Sequence, residues 1–284
     1  MTLGLEYSDD LVRGVAVDAD GRVQAKHELA PASGGVPAAV TQVLSRLRDT
    51  DGGRAAAVGV AAPDLDDPAV AAVRAALGGP AVVVLGAGEA ALVAETWCGA
   101  AVGATTAAAL ILGEHITAGL QIDGRIWRGA FGQAASVGWL ALNPVEREDY
   151  RRWGGLEAEV GAAGLVRRLV WRVKSGDRSN VVDQVGGDLG RLTAAHVLQG
   201  ARVGDGVCIS VVRDTARYIG MAVANIAVII DPEVVVLGGT LATSGDMMLE
   251  SIRHECARRL SPARAERLRV RLSPFGHDGA AVGA

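Results

Sequence analysis

Short alternating runs of apolar residues, each closed by an Asp or Gly turn, open the chain and recur near its middle. Gly14-Val15-Ala16-Val17-Asp18 leads into Asp20-Gly21-Arg22, and Gly119-Leu120-Gln121-Ile122-Asp123 leads into Gly124-Arg125. Each reads as a strand entering a hairpin turn. An apolar strand lies upstream of each, near Thr2–Leu5 and Ala107–Leu112, so both copies predict strand, turn, strand, turn, strand. Such a duplication suits an α/β protein of two related lobes that holds its ligands in the cleft between them.

Between the two meanders, Val36–Arg48 and Pro68–Leu77 carry helical spacing. Ala55–Val60 and Ala81–Leu85 read as buried strands, and Glu89–Cys98 as a further helix. After the second meander the pattern turns helical. Leu156–Lys174 predicts one or two helices, Thr193–Ala201 a short one capped at Leu192-Thr193, and Asp205–Ile230 a long one. Asp231-Pro232 stops that helix, and Val234–Leu237 is a buried strand ending in Gly238-Gly239.

Composition supports this reading and narrows the function. The 284 residues are 50% hydrophobic and 21% charged, enough to bury a substantial core, and 38 glycines with 4% aromatics suit close helix–strand contacts. A net charge of −4 gives no general attraction to nucleic acid or an anionic membrane. Ala81–Gly113 is broken by Glu89, Glu95 and glycines before a bilayer-spanning length accumulates, so no membrane association is expected. Cys98, Cys208 and Cys256 are isolated, with neither disulfide-framework nor zinc-ribbon spacing, and the first residues lack an export signal; a cytoplasmic location is expected.

The later motifs are specific. Ala201-Arg202-Val203-Gly204-Asp205, Gly220-Met221-Ala222-Val223-Ala224-Asn225, Asp231-Pro232-Glu233 through Gly238-Gly239, and the closing Asp278-Gly279-Ala280-Ala281-Val282-Gly283-Ala284 resemble the ROK family of sugar kinases and sugar-responsive repressors. With Gly124–Gly129 and the two hairpins, the resemblance covers most of the chain. It implies an α/β, actin-like two-lobed fold of the hexokinase/ROK type with a duplicated β-meander. The lobes would be residues 1–112 and 113–284, with the chain end free to return toward the first. ATP and a hexose would meet in the cleft, in a homodimer. Gly238 and Gly239 become the nucleotide-side candidates.

Against that pattern, the working positions are altered. The family's first phosphate turn is Asp followed shortly by Gly-Gly-Thr; here the run is Glu6-Tyr7-Ser8-Asp9-Asp10, with two carboxylates in place of a phosphate cradle. The second turn, Gly-Thr-Gly-Ile-Gly in the family, is Gly113-Glu114-His115-Ile116-Thr117-Ala118-Gly119. A lone His115 is read as a structural or surface residue. The family's catalytic Asn-Asp pair falls on Gly86 and Ala87, which supply neither amide nor general base. Glu89, the nearby carboxylate, is read as a helix-start acid facing another side. The sugar and metal segment, Glu-x-Gly-His and then a cysteine cluster ending Gly-Cys-Leu-Glu, is Ser136-Val137-Gly138-Trp139 and Gly154-Gly155-Leu156-Glu157. Glu157 remains as a sugar-binding candidate. Trp139 either stacks on a sugar or other planar ligand or is a buried hydrophobic substitute for the metal-binding histidine, and the second reading is preferred. No cysteine lies between Cys98 and Cys208, so no zinc is expected.

The leading expectation is therefore a catalytically inactive ROK-like protein, a ligand-binding, sensing or interaction module with no catalytic residue and no cofactor. One alternative is a divergent ATP-dependent sugar kinase. Another is a regulatory dimer partner of an active homologue. The family's repressors carry a helix-turn-helix module ahead of the kinase-like part, whereas this sequence starts on the first strand, so direct DNA binding is not expected. Arg253–Arg271, arginine-rich but interspersed with Glu255 and Glu266, reads as a solvated, salt-bridged face.

Overall fold

The computed structural model describes residues 1–51, 57–63, 65–78 and 82–284. Ala55, Ala56 and Ala81, the leading residues of two expected strands, lie outside them. The strands are β1 (Thr2–Tyr7), β2 (Val12–Val17), β3 (Val23–Leu29), β4 (Val58–Ala62), β5 (Val83–Gly86), β6 (Ala107–Leu112), β7 (Ile116–Ile122), β8 (Arg125–Ile126), β9 (Val234–Gly238) and β10 (Arg269–Leu272). The helices are α1 (Gly35–Asp51), α2 (Ala69–Ala76), α3 (Ala87–Cys98), α4 (Glu148–Trp153), α5 (Gly155–Val160), α6 (Ala162–Lys174), α7 (Val181–Gln184), α8 (Ala194–Arg202), α9 (Gly206–Ile230), α10 (Leu249–Ala257), α11 (Pro262–Arg267) and α12 (Gly279–Gly283). Among the described residues no helix is long and apolar enough to cross a membrane.

The first sheet has the order β3-β2-β1-β4-β5 and the second β10-β9-β6-β7-β8. Numbered within its own half, each sheet runs third, second, first, fourth, fifth. The duplicated meander of the sequence thus extends to whole sheets. β1, β2 and β3 are antiparallel neighbours, β4 and β5 join parallel, and in the second sheet β10 is parallel to β9.

Packing divides the chain into two units. One comprises Met1–Leu110, Thr117–Ala135 and Ser273–Ala284, the other Ile111–Ile116 and Ser136–Leu272. This differs from the 1–112 and 113–284 split drawn from the sequence.

In the first unit, strand alternation sends Leu3, Leu5 and Tyr7 to a core shared with Val40, Val43 and Leu47 of α1. Gly4 faces the other way, and there α12 lies directly on the sheet. A Cβ on Gly4 would stand 1.8 Å from the Ala281 carbonyl oxygen, and one on Gly59 1.8 Å from that of Ala284. Only glycine permits this approach of backbone to backbone.

The second unit is built around α9, whose apolar faces are buried at both the Val211–Ala216 and Ile219–Ala227 turns. Asp205 starts it. Its carboxylate accepts from the Val207 and Cys208 N–H groups at 3.0 Å each, from the Asn180 N–H at 2.7 Å and from the Ser179 hydroxyl at 2.9 Å. One side chain therefore satisfies two of the orphan donors of the helix and ties down a distant loop. Asp231, in left-handed conformation at φ 48°, ends the helix where Pro232 forbids its continuation. Thr193 caps α8 with His196 closing a capping box. Leu156–Lys174 forms two helices, α5 and α6, broken at Gly161.

Candidate functional site

In the first unit, β1 turns into β2 through a closed hairpin. The Ser8 N–H donates to the Leu11 carbonyl at 2.8 Å and the Leu11 N–H to Ser8 Oγ at 3.2 Å, leaving Asp9 and Asp10 exposed at the tip. The turn thus spends two backbone donors on itself and presents carboxylates outward, the reverse of an anion cradle. Glu6 just before it is equally committed. Its carboxylate takes the Arg13 guanidinium at 2.9 Å, and Arg13 also bonds Glu28 at 2.7 Å and the His277 carbonyl at 2.7 Å. Burial pushes the Glu6 carboxyl above the usual range, against the pull of Arg13.

Glu28, His277 and Asp278 form a cluster whose ligand atoms could surround a cation. An ammonium already stands there: Lys26 Nζ is 2.7 Å from Asp278, 3.1 Å from Glu28 and 2.8 Å from His277 Nε2.

Also in the first unit, β5 runs into α3 with Gly86 in extended conformation as the N-cap and Ala87 as the first helical residue. Gly88 presses on β7: a Cβ there would meet the Ala118 carbonyl at 2.2 Å. The helix start is fixed in place, with the Ala87 methyl group at the position where the sequence reading expected the family's acid–base residue. Glu89 stands in the first turn of α3, as read from the sequence, and it does more than favour the helix dipole. Its carboxylate clamps Arg128 through two bonds of 2.8 and 3.0 Å, and its side chain is 13% exposed. The partners lie 39 residues apart in the chain, and no local pattern announces the pair.

In the second unit, Glu157 lies in the first turn of α5, after Gly154 in left-handed backbone at φ 88°. One carboxylate oxygen accepts the Ile116 N–H at 3.0 Å, and the other bonds His115 Nδ1 at 3.0 Å. His115, read from the sequence as a structural or surface residue, is exposed, and its ring pairs with the sugar-binding candidate. Gly138 makes room for this, since a Cβ on it would lie 3.2 Å from Glu157 Oε2, and one on Gly154 would lie 2.8 Å from the Trp139 Cα. Gly138, the chain neighbour of Trp139, thus packs against the Glu157 carboxylate, so the backbone segments of the two ligand-binding candidates are adjacent. Trp139 is 60% exposed, so its preferred reading as a buried substitute is overturned. The short 3-10 turn Val137–Trp139 buries Val137 and Gly138 and leaves the indole to solvent.

Gly238 and Gly239 close β9, with Gly239 at φ 89°. A Cβ on Gly239 would meet the Leu112 carbonyl oxygen at 2.5 Å, and Gly113 approaches Thr240 in the same way, with Oγ1 3.3 Å from its notional Cβ. The ends of β6 and β9 thus meet through glycine. Glu114 and His115 project exposed from the turn that follows β6.

The model of the ROK family matches residues 3–284. The chain belongs to the ROK family. Among its relatives, a glucokinase of Halalkalibacterium halodurans is 30% identical over 191 residues, 66% of this chain and 58% of that one. A xylose repressor of Caldicellulosiruptor bescii is 27% identical over 177 residues, 61% of this chain and 43% of that one. In both cases the match spans less than two thirds of the relative. The ROK family glucokinase of Streptomyces griseus, solved with glucose and AMPPNP, superposes with a TM-score of 0.86 at 24% identity over 99% of this chain and 97% of that one. The fold is therefore the actin-like α/β fold of ROK hexokinases.

Proposed function

We propose that this sugar-kinase-like ROK chain binds a carbohydrate without phosphorylating it. The observation that carries the reading is the start of α3, where Ala87 follows Gly86 and the neighbouring Glu89 is neutralised by Arg128. A positioned general base commonly contributes about 10²–10⁴-fold in rate, and none stands at this junction. The self-closed hairpin with Asp9 and Asp10 at its tip argues the same way, since the transferred phosphoryl group needs donors and cations around it.

Binding is supported by Glu157 and Trp139. A carboxylate offers about four lone-pair sites, and Ile116 and His115 take two at Glu157, leaving acceptors for sugar hydroxyls. The exposed indole of Trp139, on a backbone segment adjacent to that of Glu157, would supply the apolar face on which a pyranose stacks. Gly238 and Gly239 are the place where a nucleotide would approach if any nucleotide binding survives. Three free cysteines, two of them buried, favour a cytoplasmic setting, and no zinc is expected. By family likeness the assembly is a homodimer, for which light scattering should give twice 29.1 kDa.

Relatives that are glucokinases favour a second reading, an active ATP-dependent sugar kinase. Pairing with an active homologue is a third. A coupled ATP-consumption assay over aldohexoses, ketohexoses and N-acetylhexosamines, run beside calorimetric titration of the same sugars, separates them. Sugar binding without turnover is expected. Turnover of about 1 s⁻¹ or more, abolished by Glu157→Ala, would establish the kinase.

A further inference from the structure

A groove of about 410 Å³ opens in the second unit between α10, α11 and β10. It shares no residue with the site above, and the inference drawn from it does not depend on the proposed function. Its floor is apolar: Cys256 is buried, and Leu260 and Leu268 are half-buried. Its rim is cationic, with Arg253, Arg269 and Arg271.

The three arginines differ in what they have left to offer. Arg253 gives Nε and Nη2 to the Val270 carbonyl, at 3.1 and 2.7 Å, and Nη1 to Glu250 at 2.7 Å, bracing α10 to β10. Arg269 donates Nε to the Glu233 carbonyl at 3.2 Å and stands 3.8 Å from the Glu233 carboxylate. Arg271 lies two residues along the strand and so on the same face as Arg269. It makes no hydrogen bond or ion pair among the described residues.

The stretch 253–271 holds seven arginines against two glutamates, an excess of five positive charges in a chain of net charge −4. Of the neighbouring acids, Glu266 on α11 makes no ion pair among the described residues, and the others are spent. Glu255 serves both Arg258 and Arg259, and Asp231 serves Arg264. The salt-bridged face expected from the sequence therefore leaves Arg271 over, at the lip of an apolar groove.

We infer that this groove binds a small amphiphilic carboxylate, its head group on Arg271 and Arg269 and its chain over Leu260, Leu268 and Cys256. The volume falls within the ordinary range of small-molecule sites, about 300–1,000 Å³. A guanidinium with unused donors matches a carboxylate in plane and charge. The apolar floor disfavours a strongly hydrated anion such as inorganic phosphate, which gains nothing by leaving water for Leu260 and Leu268. A ligand seated there would also load β10, which pairs with β9 in the register Arg271↔Val236, two residues before Gly238.

The test is titration of the whole chain, carrying ¹³C-labelled leucine methyls, with octanoate, octanol and inorganic phosphate. Octanoate should saturably shift the Leu260 and Leu268 methyls. Octanol and phosphate should act at least about tenfold more weakly, and Arg271→Ala should weaken octanoate by about tenfold or more while Arg271→Lys retains part of it. No saturable shift up to about 10 mM, beyond the millimolar range expected for so small a ligand, overturns the inference. So does equal binding of octanol, phosphate binding in preference to octanoate, or an unchanged affinity in Arg271→Ala.

Discussion

Replacing Glu157 by alanine should destabilise the chain by about 2–3 kcal/mol, because one oxygen of its carboxylate serves a buried backbone donor. That donor is the Ile116 N–H, 3.0 Å from Oε2, in a residue 4% exposed. A hydrogen bond to a charged group contributes about 1.5–3 kcal/mol, and removing the acceptor leaves the amide unpaired in a place water reaches poorly. The other oxygen matters less. Its partner His115 is 55% exposed at the side chain, so the pair is screened and is worth at most about 1 kcal/mol. Glu157→Gln keeps an acceptor for Ile116 and should cost less than about 1 kcal/mol. At roughly 2–3 °C per kcal/mol for a chain of this size, the Ala variant should melt about 5 °C lower, with the Gln and His115→Ala variants within about 2 °C of the parent. Differential scanning calorimetry without ligand measures all three. A Glu157→Ala midpoint within about 1 °C of the parent, or a His115→Ala loss as large as that of Glu157→Ala, would refute the assignment of the stabilising role to Ile116.

Other consequences follow from the same contacts. Asp205→Ala should cost about 3 kcal/mol in chemical denaturation, since it removes the α9 cap and unpairs Ser179 and Asn180. Burial pushes the Asp205 carboxyl up, but bonds from Cys208, Asn180 and Ser179 outweigh it and hold the group below its usual value. Its stabilising contribution is thus complete above the unfolded pKa of about 3.9 and is lost as pH falls through the lower folded value, so wild type and Asp205→Ala should converge in stability in that acid range. Gly59→Ala, which drives a methyl to 1.8 Å from the Ala284 carbonyl, should lower stability by about 2 kcal/mol or detach α12, read as faster proteolysis of the chain end. Burial pushes the Cys208 and Cys256 thiols up to about 11, so native protein at pH 8 should show at most the Cys98 thiol as reactive, and all three only after denaturation.

Strands and helices with a strong internal period were legible from the chain alone. Ala107–Leu112 is β6 residue for residue, the long helix expected over Asp205–Ile230 is Gly206–Ile230, and Asp231-Pro232 does end it. Apolar alternation and helix punctuation are local properties, and the repeated Asp/Gly hairpins revealed the duplication that the equal strand orders of the two sheets complete. Gly86 and Ala87 stand at the strand-to-helix junction, and Asp9 and Asp10 at a turn, where the sequence placed them. What the chain could not disclose were relations between distant residues. The Glu157–His115 and Glu89–Arg128 pairs each join segments some forty residues apart, and no period or spacing encodes such a meeting. The strand Arg269–Leu272 escaped notice because its arginines mask the alternation, and it is stabilised as a strand by pairing with β9. Trp139 was misjudged for the same reason. Whether an indole is buried depends on what stands opposite it, and tertiary packing leaves Trp139 60% exposed.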